Sequence, residues 1–156
     1  MPFAIDFAPE NAEETMRAIL QSSDMDIAGE VQDHVLIRKG DVIFGVGMLA
    51  QTDQDIFHLV VLGVKQDERG GGTGSRLVQE LLRNPWRYCR DAVGTFTENY
   101  RVTTVSKGPS AGFYAKHGFR PGEFRDIAEP YRGQCAECPE LEACGPVPMV
   151  FERRSI

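Results

Sequence analysis

Ile56-Phe57-His58-Leu59-Val60-Val61-Leu62-Gly63-Val64 runs directly into Lys65-Gln66-Asp67-Glu68-Arg69-Gly70-Gly71-Gly72-Thr73-Gly74, and that into Ser75–Arg83. The first segment is a near-continuous apolar run rich in Val, Leu and Ile. Such a strand is buried on both faces, which puts it at the centre of a sheet. The last segment carries Leu77, Val78, Leu81 and Leu82 at helical spacing and is stopped by Asn84-Pro85. Glycine in the stretch between them reaches positive φ and lets a ligand approach the backbone with no Cβ in the way. Successive N–H groups at a helix start form an anion nest that the helix dipole strengthens. Arg69 adds a charge-assisted donor at its edge. Strand, glycine loop and helix in this order suit a pyrophosphate.

Three phosphate loops differ in spacing. A P-loop needs Lys-Ser or Lys-Thr after its last glycine, and Ser75-Arg76 stands here instead. A dinucleotide fingerprint wants G-x-G-x-x-G near the first strand, whereas Gly70, Gly72 and Gly74 alternate in mid-chain. What remains is R-x-x-G-x-G, written as Arg69, Gly72 and Gly74. In this the chain resembles the GNAT superfamily of N-acetyltransferases, whose strand ends V-x-P-x-x-R-G-x-G-x-G before a helix. Val64, Arg69, Gly70, Gly72 and Gly74 match, with Gln66 where proline is common. Phe113-Tyr114-Ala115-Lys116-His117-Gly118-Phe119 matches that family's second motif, F-Y-x-x-x-G-F.

The resemblance implies that the strands Phe57–Val64 and Val102–Ser106 splay apart around acetyl-pantetheine. Backbone groups near Leu62 and Val64 would bond the pantetheine amides. N–H groups of Arg69, Gly70, Gly71, Gly72, Thr73, Gly74 and Ser75 would cradle the pyrophosphate of acetyl-CoA, the co-substrate. Tyr114 would be the acid that protonates the departing thiolate, since a phenol of pKa near ~10 can donate in a dry site. The base is open: His58 on the central strand is the candidate, on the face of Val60 and Leu62. Asp67, Glu68, Glu98 and Glu123 are other candidates, each more readily read as a solvated charge. The segment before the last strand would wall the acceptor pocket, where Arg125, Tyr131 and Arg132 could meet a carboxylate.

Around the loop the pattern alternates strands and helices. Phe3–Phe7 reads as a strand, Pro9-Glu10-Asn11 opens a helix faced by Met16, Ile19 and Leu20, and His34–Lys39 with Val42–Gln51 forms a hairpin about Lys39-Gly40-Asp41. Val102–Ser106 is a strand, Pro109–His117 a short helix ended by Gly118, Phe119–Phe124 a further strand and Pro148–Glu152 the last. Residues 125–147 have little periodicity. His34 reads as a strand-edge residue and His117 as a helix C-terminal one. The expectation is a single α/β domain over residues 1–156, a GNAT-like mixed, mostly antiparallel sheet flanked by helices and splayed at the coenzyme A cleft.

Cys135, Cys138 and Cys144 follow C-x2-C-P-x4-C spacing. Three thiolates suit zinc or an iron–sulfur cluster with a fourth ligand such as Cys89, or they are plain thiols in a tight loop. The tail, with Pro139 and Met149, resembles short N-acetylglutamate synthases, which suggests an amino acid such as glutamate as acceptor; Gly145-Pro146 departs from that pattern. With 23 acidic against 17 basic residues the chain carries a net charge of −6, a poor match for nucleic acid or anionic lipid. No apolar run is long enough to span a membrane and no signal peptide is read, so the expected compartment is cytoplasmic. The expected activity is acetyl transfer to a primary amine of a small molecule. The rival is a catalytically silent coenzyme A-binding or metal-binding regulatory module. A homodimer stays open.

Overall fold

The computed structural model describes residues 3–65, 72–136 and 145–154. Hydrogen bonding links seven strands in the order β1-β2-β3-β4-β5-β7-β6. They are β1 (Ala4–Phe7), β2 (Val35–Lys39), β3 (Val42–Asp53), β4 (Ile56–Val64), β5 (Tyr100–Ser106), β6 (Arg120–Pro121) and β7 (Val147–Arg153). Helices are α1 (Glu13–Gln21), α2 (Thr73–Arg83), α3 (Ala111–Lys116) and α4 (Tyr131–Ala136). This is the expected mixed sheet with flanking helices, and β4 is its middle strand. No helix among the described residues is long and apolar enough to cross a membrane.

Contacts gather into two compact units, Met1–Leu49 with Val60–Gly94 and Ala50–Leu59 with Thr95–Ile156. In the first, β1 pairs antiparallel with β2, and β2 with β3 through a turn where Gly40 takes φ +55°. Helix α1 places Glu13 and Glu14 in its first turn, where the dipole favours acid. Its Met16, Ile19 and Leu20 are buried with Leu36, Val46 and Val61. That is the inward face the sequence periodicity assigns to it. Helix α2 buries Leu77, Val78, Leu81 and Leu82. It can lie close to β3 because that strand presents Gly45 and Gly47. A Cβ on Gly45 would stand 2.9 Å from Ile37 Cγ2, 3.2 Å from the Gly63 carbonyl oxygen and 3.6 Å from Leu77 Cδ2.

In the second unit β4 and β5 pair parallel from Ile56↔Arg101 to Leu59↔Thr104. Strand β5 then pairs antiparallel with β7 along its whole length, Tyr100↔Arg153 to Ser106↔Val147. The expected strand over Phe119–Phe124 shrinks to β6, paired with Val150 and Met149. Pro121 has no N–H to extend a ladder. Glu123 and Asp126 then form a reciprocal capping box on a 3-10 turn, Phe124–Asp126. The aperiodic segment after Arg125 contains α4, whose six residues are too few to show a hydrophobic period.

His34 is a correction. It is wholly buried rather than at a strand edge. Its Nδ1 lies 2.8 Å from the Glu30 carbonyl and its Nε2 accepts from Ala28 N–H at 3.2 Å. The carbonyl can only accept, so Nδ1 carries the proton and the ring is neutral. Burial lowers its pKa.

The tight β3–α2 approach yields a test. Gly45→Ala should cost about 1–3 kcal/mol of stability through overpacking against Ile37 and the Gly63 backbone. A urea midpoint unchanged from wild type would show that the sheet gives way at no cost.

Candidate active site

Helix α2 starts from Gly72, which takes φ +85° and ψ 0°, a left-handed geometry that side chains rarely adopt. Among the described residues nothing lies within 4 Å of where its Cβ would be. The Gly72 carbonyl accepts from Arg76 N–H at 3.0 Å, closing the first turn. The first N–H groups of any helix lack intrahelical partners and suit an anion. Thr73 is buried and Gly74 half-buried in this turn. Arg69, Gly70 and Gly71 lie outside the described residues. On the strand before the loop Leu62 and Val64 are half-buried, and Lys65 N–H donates to the Phe44 carbonyl at 2.8 Å.

His58 is 4% exposed. Its Nδ1 lies 2.8 Å from the Thr103 hydroxyl, its direct partner across the β4–β5 ladder. That hydroxyl also lies 3.4 Å from the Phe57 carbonyl. The contact to the imidazole is the shorter of the two, and the hydroxyl accepts from Nδ1–H in one tautomer of the ring and donates to Nδ1 in the other. Tyr131, the first residue of α4, stacks on the imidazole at 4.4 Å between centroids and 16° between planes. Burial pushes the His58 pKa down to about 4, so the ring is neutral throughout the physiological range.

Tyr114 is 9% exposed and more buried than Phe113 beside it. Its ring meets Phe113 and Phe119 edge-on at 5.2 and 5.4 Å. Burial pushes its pKa up to about 12, so the phenol keeps its proton. Phe119 in turn contacts Phe151 at 5.8 Å, and Phe151 pairs with Val102. Val102 and Thr103 are neighbours on one strand and so point to opposite faces. Tyr114 therefore belongs to one face of this sheet and His58, with Tyr131, to the other.

Of the acceptor-wall candidates, Tyr131 is held against His58, while Arg125, exposed, and Arg132, half-buried, pair with Glu123 at 2.7 Å and Glu129 at 2.9 Å. Among the described residues no group of His, Cys, Asp or Glu could hold a metal. Cys138, Cys144 and the Cys135 side chain lie outside the described residues. Thr103 is the partner of His58 that sequence reading did not single out. Its signal was present as two threonines, Thr103-Thr104, in an apolar strand, but only the ladder register shows which of them faces His58.

The family model described as an acetyltransferase (GNAT) domain matches residues 31–121, more than half the chain. No curated protein matches by sequence. Solved structures show the fold's reach. N-acetylglutamate synthase from Neisseria gonorrhoeae, complexed with coenzyme A and N-acetyl-glutamate, is similar with a TM-score of 0.77 at 13% identity, over 99% of this chain and 36% of that one. The chain thus spans little more than a third of that synthase. A Mycobacterium tuberculosis protein in complex with CoA gives 0.68 at 17% identity, covering 97% and 99%. The ribosomal-protein-S18-alanine N-acetyltransferase from Escherichia coli gives 0.68 at 12%, covering 99% and 96%. With a left-handed glycine at the start of the helix after its central strand, a buried Tyr114 and a family match over more than half its length, this chain belongs to the acetyltransferase (GNAT) family.

Proposed function

We propose that this chain transfers acetyl from acetyl-CoA to the primary amine of a small molecule, an amino acid such as glutamate being the acceptor class. The observation that carries the reading is Gly72, a left-handed residue at the start of α2 with no atom of the described residues within 4 Å of its Cβ position. It supports a pyrophosphate on the N–H groups of Arg69 to Ser75, with pantetheine along Leu62 and Val64. The family match includes residues of both compact units, which supports reading the whole chain as one transferase domain.

The chemistry is direct attack. The amine nitrogen bonds to the thioester carbon, the C–S bond breaks, and no enzyme-bound acyl group forms. In the tautomer whose Nδ1–H donates to Thr103, His58 takes at Nε2 the proton that the nitrogen sheds. A base this weak suits the acidic ammonium of the tetrahedral intermediate, not a free alkylammonium, so the amine enters neutral. Tyr114 gives its proton to the leaving thiolate and regains one from solvent. Tyr131, stacked on His58, borders the acceptor. Arg125 and Arg132 can turn to an acceptor carboxylate because exposed ion pairs are worth only about 0–1 kcal/mol. The similarity to N-acetylglutamate synthase in fold, and the cysteine-containing tail, support an amino-acid acceptor.

A panel of amino acids and small amines with acetyl-CoA, read by thiol release and by mass of the product, tests this. Product from at least one amino acid is expected. Coenzyme A binding without turnover on any amine would leave the silent-module reading. Gly72→Glu should abolish coenzyme A binding in calorimetry, and retained affinity would remove the pyrophosphate assignment.

Tyr114→Phe should lower kcat by about tenfold or more while acetyl-CoA KM stays nearly constant, because a donor used only in the transition state is lost. An unchanged kcat would reduce Tyr114 to packing.

The buried His58 also predicts a pH effect. The unfolded chain takes up a proton near the ordinary 6.5 and the folded chain not until about 4. Stability is therefore full above pH 6.5 and declines as pH falls towards 4, by about 3 kcal/mol for this ring. His34 acts in the same direction. Imidazole NMR should show His58 titrating well below 6; a midpoint near 6.5 would contradict its burial and its role.

A further inference from the structure

Where β4 and β5 begin and β7 ends, the second unit holds a cavity of about 290 Å³, with Asp55, Asn99, Arg101, Glu152, Arg153 and Arg154 among its walls. Glu152 is the acid at its centre. One carboxylate oxygen accepts from Arg120 Nη2 at 2.6 Å and the other from Arg154 Nη2 at 2.8 Å and Nε at 3.1 Å. Arg101, across the ladder from Glu152, reaches that carboxylate only at 3.6 Å, too far for a hydrogen bond. Arg153 points to the other face of β7. There it hydrogen-bonds the side chain of Tyr100, its ladder partner and a neutral one.

Arg101 and Arg153 thus bring to the cavity two guanidiniums that no carboxylate hydrogen-bonds among the described residues. Both line it although they lie on opposite faces, because it opens at the strand ends. Arginines 101, 120, 153 and 154 gather about two acids, Glu152 and Asp55, so this corner is locally positive in a chain of net charge −6. Bracing one strand end does not call for so many cations, since exposed pairs contribute only about 0–1 kcal/mol each. An added anion relieves their repulsion. The planar guanidinium fork selects a carboxylate, which it meets with two parallel hydrogen bonds.

We infer that this cavity binds the carboxylate of a small organic acid, gripped by Arg101 and Arg153, with Arg154 held beside it on Glu152. None of these residues has a part in the acetyl-transfer reading above. Ile56 and Arg101 stand two positions before His58 and Thr103, on the same face of β4 and β5. Two residues of strand span about 6.5 Å, comparable to the reach from an amine to the far carboxylate of a dicarboxylic amino acid. The acid is therefore the acceptor's own far end or a separate molecule, and the grip on its carboxylate is the same for both.

Calorimetry on the full chain with glutarate and with its neutral counterpart glutaramide tests the grip. Glutarate should bind at one site about tenfold or more tightly than glutaramide, as expected for charge-assisted hydrogen bonds, and high salt should shrink that preference. Arg101→Met and Arg153→Met keep an apolar stem and should each weaken glutarate about tenfold while the variants melt close to wild type. No binding of glutarate to wild type, equal affinity for glutaramide, or unchanged affinity in both variants would overturn the inference. Inorganic phosphate bound more tightly than glutarate would overturn the choice of a carboxylate. Should a variant melt as an unfolded chain, the wild-type comparison decides. The source of the acid follows from kinetics with an amine that the panel above shows to be acetylated. Glutarate that raises its KM and leaves kcat unchanged makes the acid the acceptor's own far end, and any other pattern makes it a separate ligand. A panel that yields no product would end the acetyl-transfer reading and leave the calorimetric result standing.

Discussion

Strands β4 and β5 run parallel, and a parallel pair cannot be closed by a tight turn. The chain has to leave the sheet at the end of β4, cross over and return in the same direction, which calls for a long connection and here for α2. The antiparallel neighbours β2 and β3 need only a short turn about Gly40. The start of α2 consequently follows the end of the central strand, and a helix start is where backbone N–H groups await an acceptor. The glycines serve this geometry in two ways. Gly72 supplies the left-handed entry into α2, and Gly45 and Gly47 let Leu77 and Leu81 settle close against β3.

One physical cause prepares both proposed proton carriers. Burial disfavours whichever form is charged. For an imidazole that is the protonated form, and His58 is driven down to about 4; for a phenol it is the deprotonated form, and Tyr114 is driven up to about 12. The base is thereby left without its proton and the acid is left holding one. Thr103 adds what burial cannot, a hydrogen-bond partner that holds the ring at Nδ1, 2.8 Å away. His34, also buried and neutral, is bonded at both nitrogens, to Glu30 and Ala28. No lone pair is left over, and its role is to tie the Ala28–Glu30 loop.

The central strand, the amphipathic α1 and α2 and the hairpin were legible because each is long enough to display a period or is bounded by a glycine turn. The family was legible because the glycine loop and the Phe113-Tyr114 motif are both written in short local sequence, within the matched residues 31–121. What escaped was short or non-local. Helix α4 has six residues, and its identity comes from Tyr131 packing on His58, 73 positions away in sequence. His34 was misjudged as an edge residue because its partners belong to the preceding loop. Arg125 and Arg132 were singled out by charge, and charge alone does not distinguish a ligand grip from the local pairs with Glu123 and Glu129.

The opposite faces of His58 and Tyr114 bear on how the proposed reaction could run. Two groups on opposite faces of a continuous sheet cannot address one thioester, because a layer of hydrogen-bonded backbone separates them. They can do so where a ladder stops. The β4–β5 ladder ends at Leu59↔Thr104, one pair beyond His58↔Thr103, while both strands run on, to Val64 and to Ser106. At that last pair the Leu59 carbonyl accepts from a side chain, the Thr104 hydroxyl at 2.9 Å. The two adjacent threonines thus divide the work by alternation: Thr103 turns to one face and orients the imidazole, while Thr104 turns to the other and satisfies the carbonyl at the ladder's end. On the proposed mechanism the amine then enters from the His58–Tyr131 face and the thiolate leaves towards Tyr114. That separation would follow from the same alternation of side chains that builds the sheet.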